Sequence, residues 1–124
     1  MPSNSSILGL ALAIGVLVAS GAVAKDKEYA VGAIAIDFSG DREPFYGVGG
    51  GDTEDEATAN ALKFCTEAGG KNCKLAVAFP ECGAYAASKK GGGWGKSTTK
   101  LTAEAKAMSG CNDDSCKIIV SDCN

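Results

Sequence analysis

The sequence carries one pattern twice. With Cys65 set over Cys111 and read backwards without a gap, GVGGGDTEDEATANALKFC (47–65) lies on GWGKSTTKLTAEAKAMSGC (93–111). Gly47 meets Gly93, Gly49 meets Gly95, and Thr53 meets Thr99. Ala57, Ala59 and Ala61 fall on Ala103, Ala105 and Ala107, with Leu62 on Met108. The flanks agree: GAIA (32–35) parallels GAYA (83–86), and CKLAVAFPEC (73–82) parallels CKIIVSDC (116–123), which is two residues shorter. Self-similarity of this kind marks one supersecondary unit used twice. The two copies run over about residues 29–82 and 83–123.

Each copy reads as strand, strand, helix, strand. YAVGAIAID (29–37) and AYAAS (84–88) are short strand-like runs, followed by the turn-rich FSGDREP and KKGGG. FYGVG and WGKS are the returning hairpin strands. Thr53 opens TEDE, a capping box with Glu56 three residues on, whose acidic side chains suit the positive end of a helix. Thr99 starts the second helix with Thr102 in place of the glutamate. Ala57, Ala61, Leu62 and Cys65 share one helical face, as do Ala103, Ala107, Met108 and Cys111. Both faces are small, so each helix can lie close on a sheet. KLAVAFP and KIIVSD close the copies. The expected fold is an α+β domain of duplicated units with pseudo-twofold symmetry, built from antiparallel sheet and two helices.

The first segment stands outside this pattern. Ile7–Val18 is an apolar run of signal-peptide length, and ASGAVA ends in small residues at Ala22 and Ala24, an A-x-A cleavage site. The run is short for a membrane span. Residues 1–24 are therefore read as a signal peptide and 25–124 as the mature domain, with a secreted or periplasmic location and no stable membrane insertion after cleavage. Residues 1–24 hold no charged side chain, so the mature part keeps the net charge of −3, which argues against nucleic acid as a partner.

All six cysteines lie in the mature part, an even number in a short exported chain, which reads as a disulfide framework. Zinc would require paired C-x-x-C or Cys/His spacing, and the chain has no histidine and no C-x-x-C. The repeat narrows the pairing. In each copy the first cysteine ends the helix and the second begins the next strand, giving Cys65–Cys73 and Cys111–Cys116. Cys82 and Cys123 remain, and the repeat makes them an equivalent pair expected to join the two halves.

The order of GAIA, a G-x-G strand, a Thr-capped alanine-rich helix ending in Cys, and C-K-[LI]-x-V resembles the exported bacterial family known as domain of unknown function 4189. The resemblance covers nearly all of residues 29–123 and departs from the family at Val48, in a G-x-G region that is typically more aromatic, and at Phe79, near where a Trp is typical. It implies a secreted or periplasmic disulfide-bonded domain, and it transfers no catalytic residue.

The chemistry-bearing side chains are sparse. Without histidine the usual neutral base is missing, and with every cysteine paired there is no thiolate nucleophile. Ser88-Lys89-Lys90 and Lys96-Ser97 fall in a turn and an exposed strand, where solvated lysine is the expected state. Acids cluster at Asp37, Asp41 and Glu43, at Asp52 to Glu56, and at Asp113 and Asp114. The second cluster serves helix capping and the third a turn. The first lacks the regular oxygen spacing of a calcium loop. KKGGGWGKST (89–98) imitates a phosphate-binding loop, but the required first glycine falls on Lys90, and the matching GVGGGDT carries no Lys-Ser. The element belongs to the fold.

No catalytic residue, metal or cofactor is expected. The leading expectation is a non-enzymatic binding module of the inhibitor, immunity or effector kind, with a protein as its partner. A small carboxylate-dependent cell-wall hydrolase and a structural envelope protein are the alternatives. The residues expected to form a binding surface are Phe45, Tyr46, Tyr85 and Trp94, since aromatic anchors dominate interface energetics. The competing expectation for Trp94 is burial over glycines at the joint between halves.

Overall fold

The structure, a computed structural model, describes residues 29–38 and 43–124. The signal-peptide segment and the acidic position Asp41 lie outside the described residues. Eight elements follow in chain order: β1 (Val31–Asp37), β2 (Phe45–Gly51), α1 (Glu54–Glu67), β3 (Lys74–Phe79), β4 (Cys82–Ser88), β5 (Gly91–Ser97), α2 (Lys100–Cys111) and β6 (Lys117–Cys123). They form two three-stranded antiparallel sheets of order β2-β1-β3 and β5-β4-β6, so each copy closes its own sheet.

The duplication extends to an irregularity. β1 shifts register against β3 between Ile34 and Ala35, and β4 shifts against β6 between Tyr85 and Ala86. Val77 pairs with Ile34 where Val120 pairs with Tyr85, which makes Ala76 and Ile119 the extra residues of two equivalent bulges. A bulge leaves one residue unpaired and re-aims its side chain.

Strand alternation sorts the side chains into four layers, with the helices outside and the two sheets face to face. Ala33 and Ala35 of β1 pack with Ala57, Ala61 and Cys65 of α1. Ala84 and Ala86 of β4 pack with Ala103 and Ala107 of α2. The intervening positions Ile34, Ile36, Tyr85 and Ala87 meet between the sheets, together with Val77 and Phe79. Phe79 is fully buried at the centre, and a Cβ on either Gly32 or Gly83 would strike its ring. The two equivalent glycines thus make room for one phenylalanine.

Each helix touches its sheet backbone to backbone. A Cβ on Gly47 would collide with the N of Cys65 and the O of Ala61, and one on Gly93 with the N of Cys111. Gly49 and Gly95 face Ala61 and Ala103 in the same way. The G-x-G pattern therefore serves helix-on-strand contact, and the glycine faces do not receive an aromatic from the other half. Asn60 Nδ2 donates to Gly50 O at 2.8 Å and Lys106 Nζ to Lys96 O at 3.2 Å. These are equivalent positions, and each covers a carbonyl on an outer strand.

The helix starts follow their caps. The Thr53 hydroxyl oxygen accepts from Glu56 N–H at 3.2 Å and Thr99 from Thr102 N–H at 3.2 Å. Glu56 reaches back one residue further than a standard box, accepting from Asp52 N–H at 2.6 Å. α2 stops at Asn112, whose φ of 53° is left-handed, and α1 turns away at Gly69 with φ of 120°.

The three bridges are Cys65–Cys73, Cys82–Cys123 and Cys111–Cys116. The Cys82–Cys123 pairing is as expected, but its role of joining the two halves is not. Cys82 opens β4 and pairs in register with Cys123 of β6, so this bridge lies within the second sheet and does not join the halves. The repeat boundary accordingly falls before Cys82. The C-terminus makes the cross-connection instead, with Asn124 N donating to Glu81 O at 2.8 Å and its Nδ2 to Phe79 O at 3.1 Å.

Candidate functional site

The hairpin β4–β5 sets the candidate site. Tyr85 and Trp94 are direct cross-strand partners, and both project from the sheet face opposite the glycines that hold α2. Tyr85 is buried, and burial raises its phenol above the ordinary value. Trp94 is 52% exposed, so the expected burial at the joint is not what its position shows. Its backbone is fixed on either side by Gly93 and Gly95 pressed onto α2, which leaves a large ring on a rigid support.

A shallow cleft of about 410 Å³ opens beside this pair, lined by Phe38, Leu75 and Ala76 with Asp37, Asn72 and Lys74. Phe38 is 37% and Leu75 41% exposed. The bulged Ala76 lies on its wall, where the small side chain leaves the space open. Asp37 is buried, and its Oδ2 accepts from Lys71 N–H at 2.8 Å and Asn72 N–H at 3.2 Å. That carboxylate binds the loop entering β3 to the end of β1, which is a structural use of the acid. Glu43, from the same acidic cluster, pairs with Lys117 Nζ at 2.8 Å.

Phe45 and Tyr46 are not part of this cleft. Phe45 turns to the helix side, packing against the α1 core and over Gly69. Tyr46 is its neighbour on the other face, exposed and paired in register with Ile36. The four aromatics therefore divide, and only Tyr85 and Trp94 come together. Phe38, which follows β1, and Leu75 of β3 line the same cleft. Their signal in the sequence was adjacency to strand ends, which by itself does not tell a core position from a surface one.

Three clefts each have one carboxylate in their lining: Asp37 beside Trp94, Glu43 in a second and Asp122 in a third. No group of three potential metal ligands occurs among the described residues. The three disulfides fit an oxidising compartment outside the cytoplasm, and no described helix is long and apolar enough to cross a membrane.

A family model described as Domain of unknown function (DUF4189) matches residues 31–123. No curated protein and no solved structure matches the chain.

Proposed function

Since the chain belongs to the DUF4189 family, whose description names no activity, we propose from its own surface that it is an exported, non-enzymatic binding domain with a protein partner. The observation that carries this reading is Trp94, half exposed on a strand that two helix-packed glycines hold rigid. Around it lie Phe38, Leu75 and Tyr85, rimmed by Asp37, Asn72 and Lys74. A half-exposed aromatic on a fixed strand, beside a cleft of mixed polar and apolar lining, is the kind of anchor that protein-binding hot spots use. Rigid support lowers the ordering cost on association.

The hydrolase alternative receives no comparable support. A glycosidase needs two carboxylates facing one cleft, and the carboxylate beside Trp94, Asp37, already accepts two backbone N–H groups. A structural envelope role draws on no particular feature of the surface.

Trp94 is the only tryptophan of the chain, so its fluorescence reports directly on the site. The mature domain, used to recover a partner from envelope extract, is expected to show a blue-shifted Trp94 emission in the complex. Trp94→Ala is expected to weaken binding by at least about 2 kcal/mol, roughly 30-fold. Wild-type affinity in that variant would remove the site, and peptidoglycan release without any recoverable partner would replace the reading with a hydrolase.

A further inference from the structure

The duplication that makes the aromatic cleft makes a second one at the equivalent place in the other copy. The bulge registers align Ile34 with Tyr85 and Val77 with Val120, and from these every neighbouring position follows. Ile36 corresponds to Ala87, Asp37 to Ser88 and Phe38 to Lys89. On the third strand, Asn72 corresponds to Ser115, Lys74 to Lys117, and the bulged Ala76 to the bulged Ile119. Ala87, Ser88, Lys89, Ser115, Lys117 and Ile119 all line one cleft of about 460 Å³, completed by Glu43, Pro44 and Lys90. The cleft is of ligand-binding size.

The chemistry has changed between the copies in one direction. The carboxylate of the first cleft is replaced by a hydroxyl and its aromatic by an ammonium, while the lysine on the third strand is kept. The wall gains apolar bulk at the bulge, where Ile119 replaces alanine. The result has an apolar floor of Pro44, Ala87 and Ile119 under a rim of Lys89, Lys90 and Lys117. This rim is positive on a chain of net charge −3.

The carboxylates nearby offset it only in part, since three lysines stand against Glu43 and Asp113. Glu43 pairs with Lys117, but both side chains are more than half exposed, and ion pairs of that kind are weak and open readily. Asp113 accepts from Ser115 Oγ at 2.6 Å and from Ser88, hydrogen bonds that keep it ionised, and it also attracts Lys90. Ser88 Oγ also accepts from Lys90 N–H at 3.0 Å, which fixes the turn carrying two of the three lysines. The turn beneath the rim is thus held by its own hydrogen bonds.

We propose that this cleft is a second binding site, distinct from the aromatic one, and that it takes a small amphipathic anion. The phosphate or carboxylate head would meet Lys89, Lys90 and Lys117, and the apolar body would lie on Pro44, Ala87 and Ile119. Neither part alone uses the site fully. An inorganic anion leaves the floor wet, and a neutral amphiphile leaves the ammonium groups without a counter-charge.

Calorimetric titration of the mature domain with octyl phosphate, octanoate, inorganic phosphate and octyl glucoside, all below micelle formation, tests this. Octyl phosphate or octanoate is expected to bind at least about tenfold tighter than inorganic phosphate or octyl glucoside, and more weakly as salt is raised. Lys89→Glu/Lys90→Glu is expected to cost about tenfold or more at an unchanged melting temperature. Lys89→Gln/Lys90→Gln gives the same direction should charge reversal disturb the turn. Sedimentation with phosphatidylglycerol vesicles, lost in the same variants, would assign the head group to a bilayer lipid, and its absence to a free ligand. Trp94→Ala is expected to bind these probes as wild type does, which separates this site from the aromatic one. Equal binding of octyl glucoside, or no effect of the lysine substitutions, would overturn the proposal.

Discussion

At the scale of single residues, the smallest side chain has the largest structural consequence. Gly95 faces α2, and a Cβ there would meet the O of Ala103 and the N of Ala107, both backbone atoms of a packed helix. Such atoms cannot swing aside as a side-chain end can, so the helix itself must shift. Gly95→Ala is expected to destabilise the domain by about 1–3 kcal/mol in urea unfolding. Lys96→Ala, on the opposite face of the same strand, is expected to stay within about 0.5 kcal/mol of wild type. A neutral Gly95→Ala would show that the helix does not rest on the strand backbone. The same glycines that fix α2 turn Trp94 to the opposite face of the strand, where it stands half exposed at the edge of the other sheet. Tyr85 illustrates the converse, since its neutral phenol is favoured by burial beside an exposed partner.

At the scale of elements, the two helices share a start signal and differ in how it is supported. α1 has Glu54, Asp55 and Glu56 in its first turn, and Glu56 also accepts from Asp52 N–H. α2 has no acid in its first turn and relies on Thr99. Thr99→Ala is expected to cost about 1 kcal/mol in thermal unfolding, with Thr99→Ser restoring most of it. No loss in the alanine variant would mean that packing of Ala103 and Ala107 alone sets the helix start. Much of this level was legible in the sequence. Caps, the alanine ladder and strand lengths are local signals, and each appeared twice. One element read differently: GGG at 91–93 looked like turn and is the opening of β5, because pairing with Ala86, Ala87 and Ser88 supplies the hydrogen bonds that glycine's low strand preference would forgo.

At the scale of the whole molecule, three bridges close loops of very different length. Cys111–Cys116 and Cys65–Cys73 span sequence separations of 5 and 8, while Cys82–Cys123 spans 41. By loop-closure entropy, removal of the longest is expected to cost about 4 kcal/mol and of the shortest about 2 kcal/mol. Chemical unfolding of Cys82→Ala/Cys123→Ala beside Cys111→Ala/Cys116→Ala checks the difference, and equal losses would show that loop length does not govern it. The long bridge confines the C-terminal strand to its own sheet. Contact between the halves rests on Phe79, the facing sheet residues and Asn124. The halves are therefore joined by packing, by the hydrogen bonds of Asn124 and by the exposed Glu43–Lys117 pair, with no disulfide between them.

The sequence by itself determined the duplicated strand-strand-helix-strand order, the helix starts and the short staples, because each is written within a few residues and repeated. The tertiary structure alone decided which face each strand turns to which neighbour. In strands made of glycine and alanine both faces are small, so alternation does not say which one a helix covers and which one a sheet. That choice follows from stacking the two sheets around Phe79, a non-local event. It decided that the glycines meet helices, that Trp94 lies on the face toward the other sheet and Phe45 on the face toward α1, and that Cys82 belongs to the second sheet. It also decided that equivalent bulges open two clefts whose linings have diverged, one aromatic and one basic.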